Sequence, residues 1–300
     1  MVLGHVKWFT TVEPVRNNLK DIWTLDTLFL FSLSLIFIFL LYAFAPYLAK
    51  LKFLNGKFIN RINRETVFRV GIAFALIISM LTKHVLVPDV HGSLLLYIIM
   101  AISALGLIIQ TKITQWFSLL LILFLFIWNI FTLGIHNSVD YLFFIGIMVT
   151  LFAFLINKTK WKVRPLEILT GLSLLWVAAE KMVYSNMSLD IIHHYSLYTF
   201  GFSQKHFVIC AALVEMVIGF VLITGYFRKI ISFALTLVFL ATNLIFGVSE
   251  IMAHMPLHII FIYLILNPYK DIKIGQSRLV RAALMSCAYI IAVILVVFIY

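Results

Sequence analysis

Apolar residues gather into ten runs along the chain, at about 27–48, 67–87, 93–110, 115–134, 139–156, 165–184, 207–225, 228–248, 255–267 and 281–300. Each is close to the ~20 residues that cross a bilayer as a helix. Backbone polar groups in lipid must be satisfied inside their own segment, so the runs predict helices. Breaks fall at Pro46, Pro88, Pro165, Pro256 and Pro268, with Pro165 and Pro256 suited to first-turn positions. The ninth run is short and reads as a kinked or partly buried helix.

Composition agrees. Of 300 residues, 63% are hydrophobic and only 12% charged, more apolar than a water-soluble domain can hide. The pattern predicts an all-α integral membrane protein of about ten transmembrane helices.

The charge gives direction. The net charge is +11, but the positives sit in short connections rather than on one soluble face, so nucleic acid is not expected as a partner. Seventeen Lys and Arg follow runs one, three, five, seven and nine; four, Lys7, Arg16, Lys20 and Lys205, lie on the opposite side. Lys83 and Lys181 fall at span ends. The excess predicts a cell-membrane protein with both termini outside the cytoplasm. Residues 1–26 are mixed polar, so no cleaved signal peptide is expected.

The chain also resembles itself. Ser118 and Asn129 are separated by ten residues, as are Ser232 and Asn243. Lys112 and Gln115 precede the first pair much as Arg228 and Lys229 precede the second. His136 and Asp140 follow one, His254 and His258 the other, and Lys83 ends one span as Lys181 ends another. These correspondences predict two parallel four-helix units, 67–160 and 161–270. An N-terminal segment and first helix (1–66) and a last helix (271–300) flank them.

The run from Gly171 to Glu180 and Lys181, the run Glu215 to Gly219, Gly225 and Arg228, and the polar positions His254 and His258 resemble the DoxX-like family of four-helix membrane proteins. The first copy fits at Arg69, Gly71 and Lys83 but lacks the turn glycine near Gln110–Lys112. The second has Ile168 where the family's early arginine falls. The family includes subunits of quinone-coupled thiosulfate oxidation. The resemblance therefore implies a quinone-interacting subunit working with a partner redox protein.

Several ionisable residues lie in or at the ends of the runs, where each costs about 2.5–3.5 kcal/mol on insertion scales. Glu215 is mid-span, and reads either as a proton or ligand site or as a packing partner. Lys181 and Lys83 read either as pocket residues or as snorkelling side chains. Glu180 and Lys181 point about 100° apart and cannot share one pocket. His254 and His258, like His136 and Asp140, are four apart, the spacing of one helix face; for the first pair this holds only where Pro256 does not put His254 before the helix proper. With Glu215 or Glu250, the two histidines are the right types for a divalent metal, though interfacial hydrogen bonding explains them equally well, and no metal is assigned. His193 and His194 fall in an outer loop, 185–206.

The chain has two cysteines, Cys210 and Cys287, in opposite leaflets, and no Cys-x-x-Cys. Haem, flavin and nucleotide signatures are absent from the sequence. The expected active pocket lies in the second copy: Lys181, Glu215, His254 and His258 around a quinone. Lys83, His136 and Asp140 form the matching, degenerate set in the first. The alternatives are a binding or transport module for a small amphipathic molecule, and a structural subunit of a larger membrane assembly.

Overall fold

The computed structural model describes residues 10, 12–48, 62–109, 111–246, 254–268 and 277–300. Trp8, Glu250, the basic stretches 49–61 and 269–276, and the side chain of Asn243 lie outside these residues.

Every apolar run contains a helix. In order they are α1 (Leu19–Ile22), α2 (Leu25–Ala43), α3 (Ala45–Leu48), α4 (Arg64–Leu81), α5 (Leu94–Ile108), α6 (Lys112–Leu133), α7 (Ile135–Ser138), α8 (Phe143–Leu155), α9 (Arg164–Val183), α10 (Ser185–His194), α11 (Gln204–Thr224), α12 (Arg228–Phe246), α13 (Met255–Leu266) and α14 (Arg278–Ile299). Their starts are written in the sequence. Side chains of Thr24, Asn63, Thr111, Ser203 and Ser277 each accept from the backbone N–H three residues on, which satisfies a donor the helix cannot. Gly225 ends α11 at φ 73°, a left-handed cap.

Among the described residues, α2, α6, α11 and α14 are long and apolar enough to cross a membrane. A fifth span is counted if α7 and α8, bent by 59°, are taken together. On α14, Val280, Leu284, Ile291, Leu295 and Phe298 are exposed while Ala282, Tyr289, Val293 and Val297 are buried. Such apolar outer faces are compatible with a membrane protein and costly in water.

Two expected elements differ. The run 67–87 leaves the helix at Leu81, and His84–Val85 (β1) pairs antiparallel with Val87–His91 (β2). Lys83 and Leu86, both at positive φ, turn the chain. Alternating valines and Pro88 favour this ribbon over a continued helix. Residues 185–194, expected as loop, form α10, because Met187, Ile191 and Ile192 give it a buried face.

The helices divide into two compact units. The first is Met1–Lys52, Gly171–Tyr226 and Lys270–Tyr300; the second is Phe53–Thr170 and Phe227–Tyr269. These boundaries differ from the expected 67–160 and 161–270, since the helices of the second sequence copy are shared between the units.

In the first unit α2 packs on α11 and α14. Tyr289 stands at their meeting, stacked on Phe31 at 5.9 Å and edge-on to Phe220 at 5.3 Å, with its hydroxyl 3.2 Å from that of Ser34. Tyr42 and Thr224 share a 2.6 Å hydrogen bond. The part of α9 within this unit meets α11 at two glycines. A Cβ on Gly171 would lie 2.5 Å from the Gly219 carbonyl oxygen, and one on Gly219 2.8 Å from that of Gly171. Small residues at such crossings let backbones approach in lipid.

In the second unit α4 packs on α5 and α13, α5 on α6, α6 on α8, and α12 on α13. Phe68, Phe154 and Tyr263 form its aromatic centre, Phe68 lying 4.6 Å from Tyr263. Phe68 against Tyr263 and Gly71 against Ile259 make α4 and α13 antiparallel.

The glycine crossing predicts that Gly171→Ala destabilises the protein by about 1–3 kcal/mol, the usual cost of overpacking. Thermal unfolding of the detergent-purified protein should show a lower midpoint. An unchanged midpoint would mean that this crossing is loose.

Candidate functional site

The residues of the expected pocket fall in both units. Lys181 and Glu215 belong to the first; His254 and His258 belong to the second, with Lys83, His136 and Asp140.

Lys181 lies near the C-terminus of α9, and Glu215 mid-way along α11. The ammonium Nζ stands 2.5 Å from Glu215 Oε2, and each side chain is 22% exposed. Glu180, next along α9, is buried, as the 100° offset between neighbours requires. The pair is therefore largely buried, with part of each side chain still exposed. Removing one partner of a desolvated pair leaves an uncompensated charge and is strongly destabilising.

A strap of N-terminal residues crosses the same end of this unit. Asn17 donates its backbone N–H to Val183 O at 2.8 Å, and its amide to Met182 O at 3.0 Å and Ser185 Oγ at 2.8 Å. Asn186 answers from α10, accepting from Val15 N–H at 3.1 Å and donating to Glu13 O at 2.8 Å. Thr10 hydrogen-bonds Asp190. A cleft of about 790 Å³ opens here, lined by Arg16, Lys20, Asp21, Val183 and Val297 among others. Lys181 is not on its wall.

In the second unit the five remaining candidates share one end, where α4 finishes and α13 begins. His254 caps the start of α13, and Pro256 occupies the first turn. Both histidines are buried. Both face Phe239 of α12, with ring centroids at 4.7 Å for His254 and 6.1 Å for His258. His254 thus stands just before the helix proper and His258 in its first turn, and the two rings meet at Phe239. Asp140 is buried in a short 3-10 turn after α7, and His136 sits half-buried one turn before it.

Lys83 is exposed and at φ 64°; its backbone rather than its ammonium is used. Its carbonyl accepts the Tyr97 hydroxyl at 2.6 Å, while that hydroxyl accepts Gly92 N–H at 3.0 Å. Tyr97 thus ties both ends of the ribbon to α5. Asn129 donates to Val85 O at 2.8 Å from α6, and the Tyr141 hydroxyl bonds the Asp89 carboxylate. Val85, Leu86, Val87 and Val90 are buried beneath.

Sequence reasoning missed this ribbon and its histidine pair. His84 and His91 face each other across the strands with centroids 4.9 Å apart. Burial lowers the His84 value, and the charge of His91 lowers it further.

It also missed a charged cluster at the opposite end of this unit. Glu167, buried, accepts from Arg164 at 3.1 Å and from buried Arg228 at 3.0 Å. Lys162 reaches Glu65 at 2.6 Å. Arginine as the first residue of α4, α9 and α12 was the available signal, because a cation there opposes the helix dipole.

Among the described residues no group of three or more His, Cys, Asp or Glu could hold a metal ion. Glu250, one expected third ligand, lies outside them. No protein-family model matches the chain, and neither does any curated protein or solved structure.

The lowered His84 value sets a sign. The fold favours neutral His84, so the ribbon has its full stability above the ordinary histidine value of about 6.5 and loses it as pH falls through that value and the lower folded one. Amide exchange at Val85 and Val87, corrected for intrinsic rates, should quicken between pH 8 and pH 5. In His84→Gln that acceleration should shrink. Equal protection at both pH values would contradict this.

Proposed function

We propose that the chain is a polytopic membrane protein of about ten transmembrane helices that binds a small amphipathic molecule at Lys181 and Glu215. The observation that carries this reading is the ion pair itself. A donor and an acceptor sit side by side on two closely packed apolar helices, and both keep partial exposure. An ammonium can donate to a carbonyl or other polar head group, and a carboxylate can accept from a hydroxyl. The apolar surroundings suit a hydrophobic tail. Intramembrane ionisable residues are functional candidates by default.

A quinone is the ligand whose chemistry the pair fits most closely. Its carbonyls are acceptors for Lys181, and the hydroxyls of the reduced form are donors to Glu215. In the redox version a partner protein supplies the electrons, and two protons reach the ring on reduction. The DoxX-like resemblance, carried by Gly171, Lys181, Glu215 and Gly219, belongs to this proposal, as does a sequence duplication whose second copy is shared between the two units. His254 and His258, buried against Phe239, are assigned to a separate end of the second unit.

The proposed orientation has both termini outside the cytoplasm. Reporter fusions at 158–162 and at 190–200 should lie on opposite sides of the membrane; the same side for both would overturn the span count.

For the pocket, small molecules extracted from the purified protein should include a quinone or another amphiphile. Lys181→Met and Glu215→Gln should each weaken its binding at least about tenfold, the ~1.4 kcal/mol of one charge-assisted hydrogen bond, whereas Lys83→Met should not. Retention of ligand in both pocket variants would assign the pair to helix packing.

A further inference from the structure

One buried cation of the first unit has no counter-charge among the described residues. Arg281, in the first turn of α14, is 3% exposed. Its side chain makes no hydrogen bond or ion pair among those residues, and its Nε and Nη2 are both buried without a partner. These two nitrogens form one edge of the guanidinium, the edge that presents two parallel N–H donors. Burying such donors unmet is costly.

The contacts of α14 fix where Arg281 lies in this unit. Ser34 meets Tyr289 and Tyr47 meets Arg278, so α2 and α3 run antiparallel to α14, and Arg281 falls level with Tyr42–Phe44. There α2 and α11 finish, and the Tyr42 hydroxyl is bonded to Thr224. The carboxylates of the unit lie elsewhere. Glu13, Asp21 and Asp26 precede or open α2, Asp190 lies in α10, and Glu215 is held mid-helix by Lys181. Glu180 is near the far end of α14, where Trp176 and Tyr184 meet Tyr300. The finishing ends of α2 and α11 are electronegative and the start of α14 electropositive, so the helix dipoles offset one another and supply no acceptor to Nε and Nη2.

A second cation stands beside the first. Arg278 is three residues earlier, one turn along the same side of α14. Helical side chains lean toward the N-terminus, which brings both guanidinium groups to the start of the helix. Arg278 is exposed, lies over the Tyr47 ring at 4.8 Å and donates to its hydroxyl. That neutral partner holds it in place and leaves its charge intact. Like charges one turn apart repel, and an anion between them would cancel the repulsion and meet the open donor edge.

We propose that this end of the first unit binds a phosphate group, with Arg281 as its principal ligand through Nε and Nη2 and Arg278 supporting it from the surface. Arginine matches phosphate oxygens with paired N–H donors. Basic pockets between membrane helices commonly hold anionic lipid head groups, and inorganic phosphate offers the same oxygens. The site uses neither Lys181 nor Glu215, so it and the proposed amphiphile pocket can fail separately. Asp271, the carboxylate nearest to Arg281 in sequence, lies outside the described residues, and the test includes it.

The experiment uses the full-length protein in detergent. Native mass spectrometry should show phosphatidylglycerol retained at least about fivefold over phosphatidylcholine of the same acyl chains, the effect of about one cation at a membrane surface. Arg281→Gln should reduce that preference severalfold. Arg281→Lys, which keeps the charge but loses the paired donors, should reduce it nearly as much. In parallel, thermal unfolding is followed with inorganic phosphate against chloride at matched ionic strength. A phosphatidylglycerol preference identifies a lipid head group as the source. Stabilisation by inorganic phosphate without lipid preference, lost in Arg281→Gln, identifies the free anion at the same site. Arg278→Gln, at an exposed position, should fold and weaken whichever effect is seen, so the proposal stays testable if the Arg281 variants do not fold. Absence of both effects in the wild type overturns the proposal. So does an effect unchanged in Arg281→Gln, or in Arg278→Gln if the former does not fold. Equal loss of thermal midpoint in Asp271→Asn and Arg281→Gln also overturns it, by making Asp271 the counter-charge.

Discussion

A charge on an apolar helix must be answered close by, and this requirement orders much of the molecule. An apolar helix offers an ionised side chain little polar company, so it finds an opposite charge or reaches an end. Glu215 is answered by Lys181 across α9 and α11. Glu167 is answered twice, by Arg164 and Arg228. Several neutral polar groups are answered too: Tyr42 bonds Thr224, Tyr289 bonds Ser34, and the Asn129 amide reaches Val85 O. Helix packing follows from where these pairs must meet, with glycines at 171 and 219 allowing the close approach beside one of them.

The same rule separates two kinds of charged group. Lys181 and Glu215 form a balanced pair that keeps some exposure. Glu167 is buried and shared by two arginines, Arg164 and Arg228. A balanced, reachable pair offers hydrogen bonds to a neutral head group. A buried carboxylate already held by two arginines offers none. The chemistry of the two sites therefore differs even though both are built from Lys, Arg and Glu.

The helices were legible because each depends on local information. Hydrophobic runs set their extent, and Thr24, Asn63, Thr111, Ser203 and Ser277 set their starts. What the sequence hid depends on contacts distant along the chain. Gly171 signals a close neighbour but does not say which. The Lys181–Glu215 contact joins residues 34 apart, and only the identity of Glu215 as a mid-span carboxylate pointed to it. Residue type and direction grouped His254 and His258 with Lys181, but that they belong to a different compact unit from Lys181 depends on packing no local pattern encodes. The ribbon at 84–91 was hidden because its valines extend a hydrophobic run. Helix and strand cannot be told apart by apolarity alone over so few residues. Arg64, Arg164 and Arg228 were read as topology signals, a role that does not exclude the buried cluster they form.

The central claim is that Lys181 and Glu215 form a ligand site and do more than join two helices. The most direct measurement is ligand content in the charge-exchanged double variant, Lys181→Glu with Glu215→Lys, beside its thermal midpoint. Exchange keeps the attraction but puts the donor where the acceptor was. The account predicts a midpoint restored most of the way from the single variants to wild type, with the extracted amphiphile still lost. Recovery of both stability and ligand, or ligand content unaffected by any of the substitutions, would contradict it.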